Sequence, residues 1–456
     1  MRYLIVLDSW IHWIATFAVF VLMTQVGICI GWVAPNIAKL MDEDSDIPLD
    51  TDQVSWMVSI APLVGILGAV ASALGVEFLG SRRVILAAFT VMSASWVCMM
   101  AANSVAWLYV ARGLTGLVLS ASYSCFSIYL GEIADPKIRG TLVSVAAGGN
   151  PFGIVVGTVA ETYLPRRASS SMYLVLCLMA LLLMLWLQDT PYYLTRKGLA
   201  ERARASVVFY RPGCDVDKEV LEIGAFVECH AVGGSFRTKL RDLNAPAVRW
   251  SFFVIVTLFA LPHVSGTMNL SSYMEVILRK ARSRLVEPER FVIYANVTSV
   301  LSTLLTFKLI DVLGRRVLLV VSGIGTFVAM GGLGLHFYLL GAGFDPEGLQ
   351  WLPVVSILGY LVTYAVGFSP VPSTVLSELF ADNAKSVAAL VATLSAPFFS
   401  FVVTKAYQPM VDRVGEAYVF WIHALFGFAA VPYALFVLPE TRGKTFQEIQ
   451  DALTGK

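Results

Sequence analysis

Two similar series of apolar segments constrain the fold of this chain more than any other feature. An LGSRR sequence at 79–83 follows the second apolar segment of the first series, and an LGRR sequence at 313–316 follows the second segment of the next series. A segment of about 20 apolar residues can cross a bilayer as a helix. Matched interruptions in two such series therefore indicate a membrane protein that arose by duplication.

Two acidic motifs also recur in the same order. GEI at 131–133 and SEL at 377–379 each follow the fourth segment of a half, while DTP at 189–191 and PET at 439–441 each follow the sixth. Charged clusters thus return to the same side of the membrane in both halves. Two related halves around a central binding site are typical of secondary transporters.

The composition supports a membrane environment. Hydrophobic residues make up 57% of the 456 residues and charged residues only 14%, which is far from the balance of a soluble domain. The predicted fold class is an all-α membrane protein with twelve transmembrane helices in two pseudo-symmetric six-helix bundles and a cytoplasmic helical linker. The predicted spans lie near 11–33, 54–76, 84–102, 106–130, 141–163, 172–188, 250–277, 291–310, 317–340, 352–376, 386–408 and 416–438.

A net charge of +1 gives no reason to expect a nucleic-acid partner.

Four regions are predicted along the chain: an N-terminal bundle at 1–190, a cytoplasmic linker at 191–248, a C-terminal bundle at 249–440 and a cytoplasmic tail at 441–456. Leu199, Ala203 and Val207 recur at helical spacing, so we expect short helices in the linker. A disordered tether is the alternative. Lysine and arginine are more numerous in the loops on the side of the termini, which favours cytoplasmic termini.

Short motifs along the whole chain carry a resemblance to a known family. They are Gly27, Gly31-Trp32, Pro35, Arg112-Gly113, Gly116, 132–141, Ser265-Gly266, 370–372 and 439–443. Together with the two arginine turns, they resemble the motifs of the sugar porters of the major facilitator superfamily. Glu77 and the stretches 190–194 and 403–405 are similar to the insect facilitated trehalose transporter branch. The resemblance implies the major facilitator fold, sugar transport and a plasma-membrane location.

Acidic and basic residues occur at the predicted cytoplasmic ends of helices in both halves. The predicted cytoplasmic gate consists of Glu77, Arg82, Arg83, Glu132, Arg139, Asp311, Arg315, Arg316, Glu378, Glu440 and Arg442. Ion pairs there would favour a closed arrangement and could be solvated again when it opens. The alternative is that these charges anchor helix ends at lipid headgroups. The resemblance implies the first role, with the pairs stabilising an outward-open state.

The resemblance also implies that amide side chains, mainly of the second half, bind sugar hydroxyls, yet most of those amides are replaced here. The matched positions carry Ala147, Pro262, His263, Met268, Ser299, Ser373 and Ala396. Unpaired hydroxyls are costly to desolvate, so other groups must bind a sugar. The predicted substrate-binding residues are His263, Ser265, Asn269, Met268, Ser299, Ser373 and Asn150. Each could instead join helices by hydrogen bonds, although an ionisable residue inside an apolar span favours a functional role for His263.

The remaining polar residues bear on energy coupling and packing. No Asp or Glu lies between 11 and 33, where the resemblance places the carboxylate of proton-driven relatives, and no GxxxxGK[ST] sequence offers a site for ATP. His12, His336 and His423 lie near segment ends or on apolar faces, so we expect them to pack between helices and not to bind a ligand.

These observations predict facilitative transport of a sugar, either a monosaccharide such as glucose or trehalose, by alternating access without proton coupling. The alternatives are a non-transporting nutrient sensor or binding protein on the same scaffold, and a transporter of another small polar solute. The expected partners are a sugar and the lipid bilayer, with the oligomeric state left open. No metal-ligand spacing occurs and no catalytic constellation is visible, so neither a metal, a cofactor nor an enzymatic activity is expected.

Overall fold

The computed structural model describes residues 10–135, 137–231, 246–344, 346–379 and 382–440. The predicted tail at 441–456 and the linker residues 232–245 lie outside this range. Throughout the described residues the regular structure is helical, without a strand, which confirms the predicted all-α fold class. A helix satisfies its own backbone hydrogen bonds, so it is the structure that apolar segments adopt in lipid.

The α-helices are numbered in chain order. They are α1 (Trp10–Gly31), α2 (Val33–Leu40), α3 (Thr51–Phe78), α4 (Ser81–Ala101), α5 (Val105–Ile133), α6 (Arg139–Ala147), α7 (Gly149–Tyr163), α8 (Arg166–Trp186), α9 (Pro191–Arg196), α10 (Ala200–Tyr210), α11 (Val216–Ala231), α12 (Pro246–Val264), α13 (Thr267–Lys280), α14 (Pro288–Leu313), α15 (Arg315–Gly341), α16 (Trp351–Thr363), α17 (Val371–Leu379), α18 (Asp382–Val414), α19 (Glu416–Phe428) and α20 (Ala430–Phe436). A 3₁₀ turn at Pro346–Leu349 and a π-helical stretch at Tyr364–Phe368 flank α16.

Eleven helical stretches among the described residues are long and apolar enough to span a membrane. They coincide with all of the predicted spans except the eighth. The eighth, near 291–310, falls on α14, whose 26 residues extend about 39 Å. All twelve predicted segments are therefore helical.

The chain divides into two compact units. Among the described residues, the first contains 10–31 and 63–231, and the second contains 32–62 and 246–440. Residues 32–62, which the predicted boundary at 190 assigns to the first bundle, group with the second unit. The predicted domain boundaries stay predictions.

Within the first unit, α1 and α7 approach each other at the level of the backbone. A Cβ atom on Gly27 would lie 2.0 Å from the Asn150 carbonyl oxygen, and one on Gly153 would lie 2.1 Å from that of Thr24. Small residues permit such contact between membrane helices, where close packing replaces the hydrophobic effect as the driving force. The glycines of this pair therefore leave no room for a larger side chain.

The first part of the linker folds onto the first unit as three helices, α9, α10 and α11. Ala203 and Val207 are buried, in agreement with the helical spacing in the sequence, as is Tyr210. Leu199, the third residue of the predicted spacing, precedes α10 and is exposed. Burial raises the pKa of the Tyr210 hydroxyl to about 12, so it is protonated and donates a hydrogen bond of 2.7 Å to the Gln188 carbonyl oxygen. The prediction of linker helices is confirmed for the described residues, which end at 231 on this side.

The core of the second unit is formed mainly by aliphatic side chains of five helices, α12, α15, α17, α18 and α20. Val254, Leu319, Val375, Ala388 and Ala434 are among its buried members. The seventh apolar segment enters this core as α12 and continues as α13, with a break between the two helices. The core thus holds one side of the break in place.

Candidate functional site

The break in the seventh apolar segment separates α12, which ends at Val264, from α13, which begins at Thr267. Pro262 lies in the last turn of α12 and has no backbone N–H to donate. Gly266 has a φ of +89°, a left-handed conformation that costs glycine least. Helices interrupted in this way form substrate sites in transporters, because their freed backbone groups are tolerated only where protein or a cavity surrounds them.

Side-chain hydroxyls satisfy backbone groups at the break. Ser265 Oγ and Thr267 Oγ1 donate to the Pro262 carbonyl oxygen at 2.8 and 2.6 Å. The hydroxyl of Tyr360, on α16, lies 2.6 Å from Thr267 Oγ1 and 3.3 Å from Ser265 Oγ. Ser265, a predicted substrate residue, is therefore buried in a network that holds the break together.

His263 and Met268 lie on either side of the break and are half-buried. Nδ1 of His263 is buried and has no hydrogen-bond partner among the described residues. A buried polar atom without a partner costs free energy, which a ligand or a water molecule can recover. His263 therefore offers a hydrogen-bonding group to a ligand.

Asn269, another predicted substrate residue, is buried and contacts protein groups. Its Nδ2 atom lies 3.2 Å from Nε2 of His423 and 3.4 Å from the Val403 carbonyl oxygen. Its Oδ1 atom has no hydrogen-bond partner among the described residues. The NH₂ group of Asn269 thus joins three helices, α13, α18 and α19.

The other predicted substrate residues lie on separate helices. Ser299 is half-buried on α14, and Ser373 is exposed on α17, where its Oγ donates to the Pro370 carbonyl oxygen at 3.4 Å. Asn150 belongs to the first unit and donates from Nδ2 to the Tyr123 hydroxyl at 3.0 Å. Four of the seven predicted residues therefore lie on the seventh segment, and the other three lie on α14, α17 and α7.

The predicted gate residues of the first unit gather around the start of α4. Arg82 donates to Asp189 at 3.1 Å and to the Met184 carbonyl oxygen, and Arg83 donates to the same Asp189 carboxylate at 2.9 Å. Glu132 accepts hydrogen bonds from Ser81 Oγ at 2.7 Å and from Thr190 Oγ1 at 2.8 Å. The arginine turn is thereby tied to the ends of α5 and α8.

In the second unit, the matched turn at the start of α15 has a different set of contacts. Arg315 pairs with Glu378 at 2.6 Å. The Glu440 carboxylate accepts from the backbone N–H groups of Arg315 and Arg316 at 3.3 and 3.2 Å, at the positive end of the helix. Arg316 donates from Nε to the Leu438 carbonyl oxygen at 2.6 Å.

Two predicted gate residues, Glu77 and Arg139, are not among the members of these clusters. Glu77 is exposed, and its carbonyl oxygen accepts from Arg196 at 2.8 Å, while Arg139 is half-buried at the start of α6. The side chain of Asp311 and the whole of Arg442 lie outside the described residues. The predicted latch between the two halves stays a prediction.

Asp189 is missing from the predicted gate, although it pairs with two arginines. The sequence could have indicated Asp189 as a gate residue, because the DTP motif that contains Asp189 matches the PET motif that contains Glu440.

Among the described residues, no group of three or more His, Cys, Asp or Glu side chains could hold a metal ion.

Comparisons with known proteins agree on one family. The family model described as sugar (and other) transporter matches residues 12–453. The facilitated trehalose transporter Tret1 of Aedes aegypti is 28% identical over 451 residues, covering 98% of this chain and 56% of that protein. Tret1 of Polypedilum vanderplanki is 26% identical over 445 residues, covering 97% of this chain and 88% of that protein. The chain spans about half the length of the Aedes aegypti protein and of the Tret1 proteins of Drosophila mojavensis and Drosophila virilis.

A solved structure has the same fold. The xylose transporter XylE from E. coli, in an inward-open conformation, superposes with a TM-score of 0.75 at 19% identity, over 97% of this chain and 99% of that one. XylE bound to 6-bromo-6-deoxy-D-glucose, named in its description as a proton:xylose symporter of the major facilitator superfamily, gives a TM-score of 0.72. The predicted major facilitator fold is confirmed.

Proposed function

We propose that this chain, which belongs to the sugar (and other) transporter family, carries a sugar down its concentration gradient across a membrane by alternating access. The observation that carries the proposal is the family match over residues 12–453, nearly the whole chain. The chain is a multi-pass membrane protein, and its relatives are transporters and not enzymes. We place it in the plasma membrane because of its resemblance to the sugar porters, and we place both termini in the cytoplasm because of the distribution of basic loop residues.

Trehalose or a monosaccharide such as glucose is the proposed substrate. The relatives named as trehalose transporters cover nearly all of this chain, which supports a sugar of this class. His263 supports the same proposal, since its buried Nδ1 lies beside the break in the seventh segment and has no hydrogen-bond partner in the described part of the chain. A sugar hydroxyl could pair with this nitrogen and remove the cost of leaving it buried and unsatisfied.

The proposed transport is not coupled to protons. No carboxylate lies in the sequence from 11 to 33, so the first span contains no acidic residue that could take up a proton. The predicted gate residues would act as the latch. Arg82 pairs with Asp189 and Arg315 with Glu378 within their own units, so these pairs would hold the arginine turns of the gate in place.

Uptake into vesicles tests the proposal. Purified full-length protein in liposomes should take up labelled glucose or trehalose at an initial rate that a proton gradient does not change. His263→Ala should raise the KM about tenfold, as expected for the loss of one hydrogen bond to a ligand. His263→Asn should restore part of the affinity, because its amide can take the place of the imidazole Nδ1. Uphill accumulation that an uncoupler abolishes would contradict the absence of proton coupling.

A non-transporting sensor or binding protein is the second candidate. It is favoured by the replaced amide positions, which carry Ala147, Pro262, Ser373 and Ala396. Sugar binding without uptake would support it. Uptake that is present in the wild type and impaired in Glu132→Ala would exclude it, because a protein that does not alternate has no use for the latch.

A further inference from the structure

One side chain bridges the two sides of the break in the seventh segment. The carbonyl oxygen of Val264 belongs to the last turn of α12, where backbone acceptors lack partners within their own helix. His423, buried on α19, places Nδ1 at 2.8 Å from this oxygen. Its other nitrogen, Nε2, lies 3.2 Å from Nδ2 of Asn269 in the first turn of α13.

The two contacts define the proton position on the His423 ring. A carbonyl oxygen can only accept, so Nδ1 carries the proton and donates to Val264. In a neutral ring Nε2 then accepts, and the Asn269 amide donates to it. The orientation of that amide agrees with its second contact, because Nδ2 also lies 3.4 Å from the Val403 carbonyl oxygen, where a flipped amide would place oxygen against oxygen.

The ring also fills the space beside the left-handed residue of the break. A Cβ atom on Gly266 would lie 2.8 Å from Cγ of His423. Glycine is therefore required at position 266 for two reasons: its φ is +89°, and the imidazole of His423 leaves no room for a Cβ atom. The break and the ring of His423 fit each other closely.

Two other buried histidines provide a contrast. Nε2 of His12 lies 3.0 Å from the Ile133 carbonyl oxygen, and Nε2 of His336 lies 2.9 Å from that of Ala281. In both rings Nδ1 is buried without a hydrogen-bond partner among the described residues. His423 differs because both of its nitrogens are bonded, one to each side of a helix break.

We propose that His423 is a positioning residue for the substrate site. Its neutral, Nδ1-protonated ring sets the orientation of α13 relative to α12 and thereby places His263 and Met268, which lie on either side of the break. The link to substrate rests on the proposed function, whereas the effect on the break itself can be measured without transport.

Hydrogen–deuterium exchange of the full chain in lipid nanodiscs tests the effect on the break. His423→Leu removes both hydrogen bonds at similar size, and the backbone amides at 265–270 should then exchange about fivefold faster or more. His423→Asn should restore most of the protection, because its Nδ2 can take the place of the imidazole Nδ1. His336→Leu is the matched control: it removes another buried bond to a carbonyl oxygen and should leave 265–270 unchanged.

The proposal is wrong if 265–270 exchange at the wild-type rate in His423→Leu, or if His336→Leu accelerates them equally. Should His423→Leu fail to fold, Asn269→Leu provides the second variant. It removes the contact to His423 Nε2 together with the contact to the Val403 carbonyl oxygen, while the bond from His423 Nδ1 to Val264 stays. The same amides should exchange about threefold faster, and an unchanged rate would again contradict the proposal.

Transport then separates this proposal from the proposed function. With labelled trehalose or glucose, His423→Leu should raise the KM about tenfold while His423→Asn stays near the wild type and His336→Leu keeps the wild-type KM. If the wild type carries no sugar but the exchange pattern is found, the proposed function fails and the positioning of the break stands. If the wild type carries sugar and the KM is unchanged in His423→Leu, the role in the substrate site is refuted.

Discussion

The two arginine turns occupy matched places in the two halves, yet different groups hold them. In the first unit, the acid that follows the sixth segment, Asp189, pairs with the guanidinium groups of Arg82 and Arg83. In the second unit, the acid that follows the twelfth segment, Glu440, accepts from the backbone N–H groups at the start of α15. Arg315 pairs there with Glu378, the acid that follows the tenth segment.

The matched acids after the fourth and tenth segments differ as well. Glu132 accepts from the hydroxyls of Ser81 and Thr190, whereas Glu378 pairs with a guanidinium group. A duplicated motif thus preserves the kind of residue and its place in the chain, while each unit distributes the contacts in its own way. The backbone is the part that both turns share, since Gly80 and Gly314 have φ values of +89° and +83°.

The largest expected effect breaks this shared backbone feature. Gly80→Ala should destabilise the protein by about 3 kcal/mol, because its Cβ would meet the Tyr193 ring at 2.7 Å in addition to the strain of a positive φ. Gly314→Ala should cost about 1–2 kcal/mol, since its Cβ would meet the movable end of Glu440 at 3.0 Å. Thermal unfolding in detergent measures the stability of both variants. An equal loss of stability in the two would show that the contact with the Tyr193 ring adds nothing to the backbone strain.

A medium effect distinguishes a buried ion pair from an exposed one. The Arg315 side chain is 9% exposed and pairs with Glu378, whereas the Arg83 side chain is 46% exposed and pairs with Asp189. Arg315→Gln should cost about 2–3 kcal/mol because it leaves a partly buried carboxylate without its cation. Arg83→Gln should cost less than about 1 kcal/mol. The same unfolding assay measures the stability of both variants. A larger loss of stability for Arg83→Gln than for Arg315→Gln would contradict the greater contribution of the buried pair.

The smallest effect tests the hydroxyl contacts of the first turn. Thr190→Val removes the hydrogen bond to Glu132 and should destabilise the protein by about 1 kcal/mol. Thr195→Val is the matched control, because the Thr195 hydroxyl is buried without a hydrogen-bond partner among the described residues. Thr195→Val should be neutral or slightly stabilising. If it lowers the free energy of unfolding as much as Thr190→Val, the hydrogen bond to Glu132 contributes nothing specific to stability.

Most of the fold was predictable because hydrophobicity and helix length act locally. Each of the twelve apolar segments is helical, although the seventh is divided into α12 and α13, and the apolar spacing of Ala203 and Val207 agrees with the linker helices. The site was less predictable. His423 looked like a packing residue, and nothing local in the sequence indicates that its two nitrogens bond Val264 and Asn269, which lie more than 150 positions away.

By itself, the sequence determined the membrane-spanning helices and the duplicated plan, because apolar length and repeated motifs act over a few residues. Only the tertiary structure decided which acid meets which arginine and which side chains hold the break. A hydrogen bond or ion pair forms over about 3 Å, and only the packing of distant helices brings such groups within that distance.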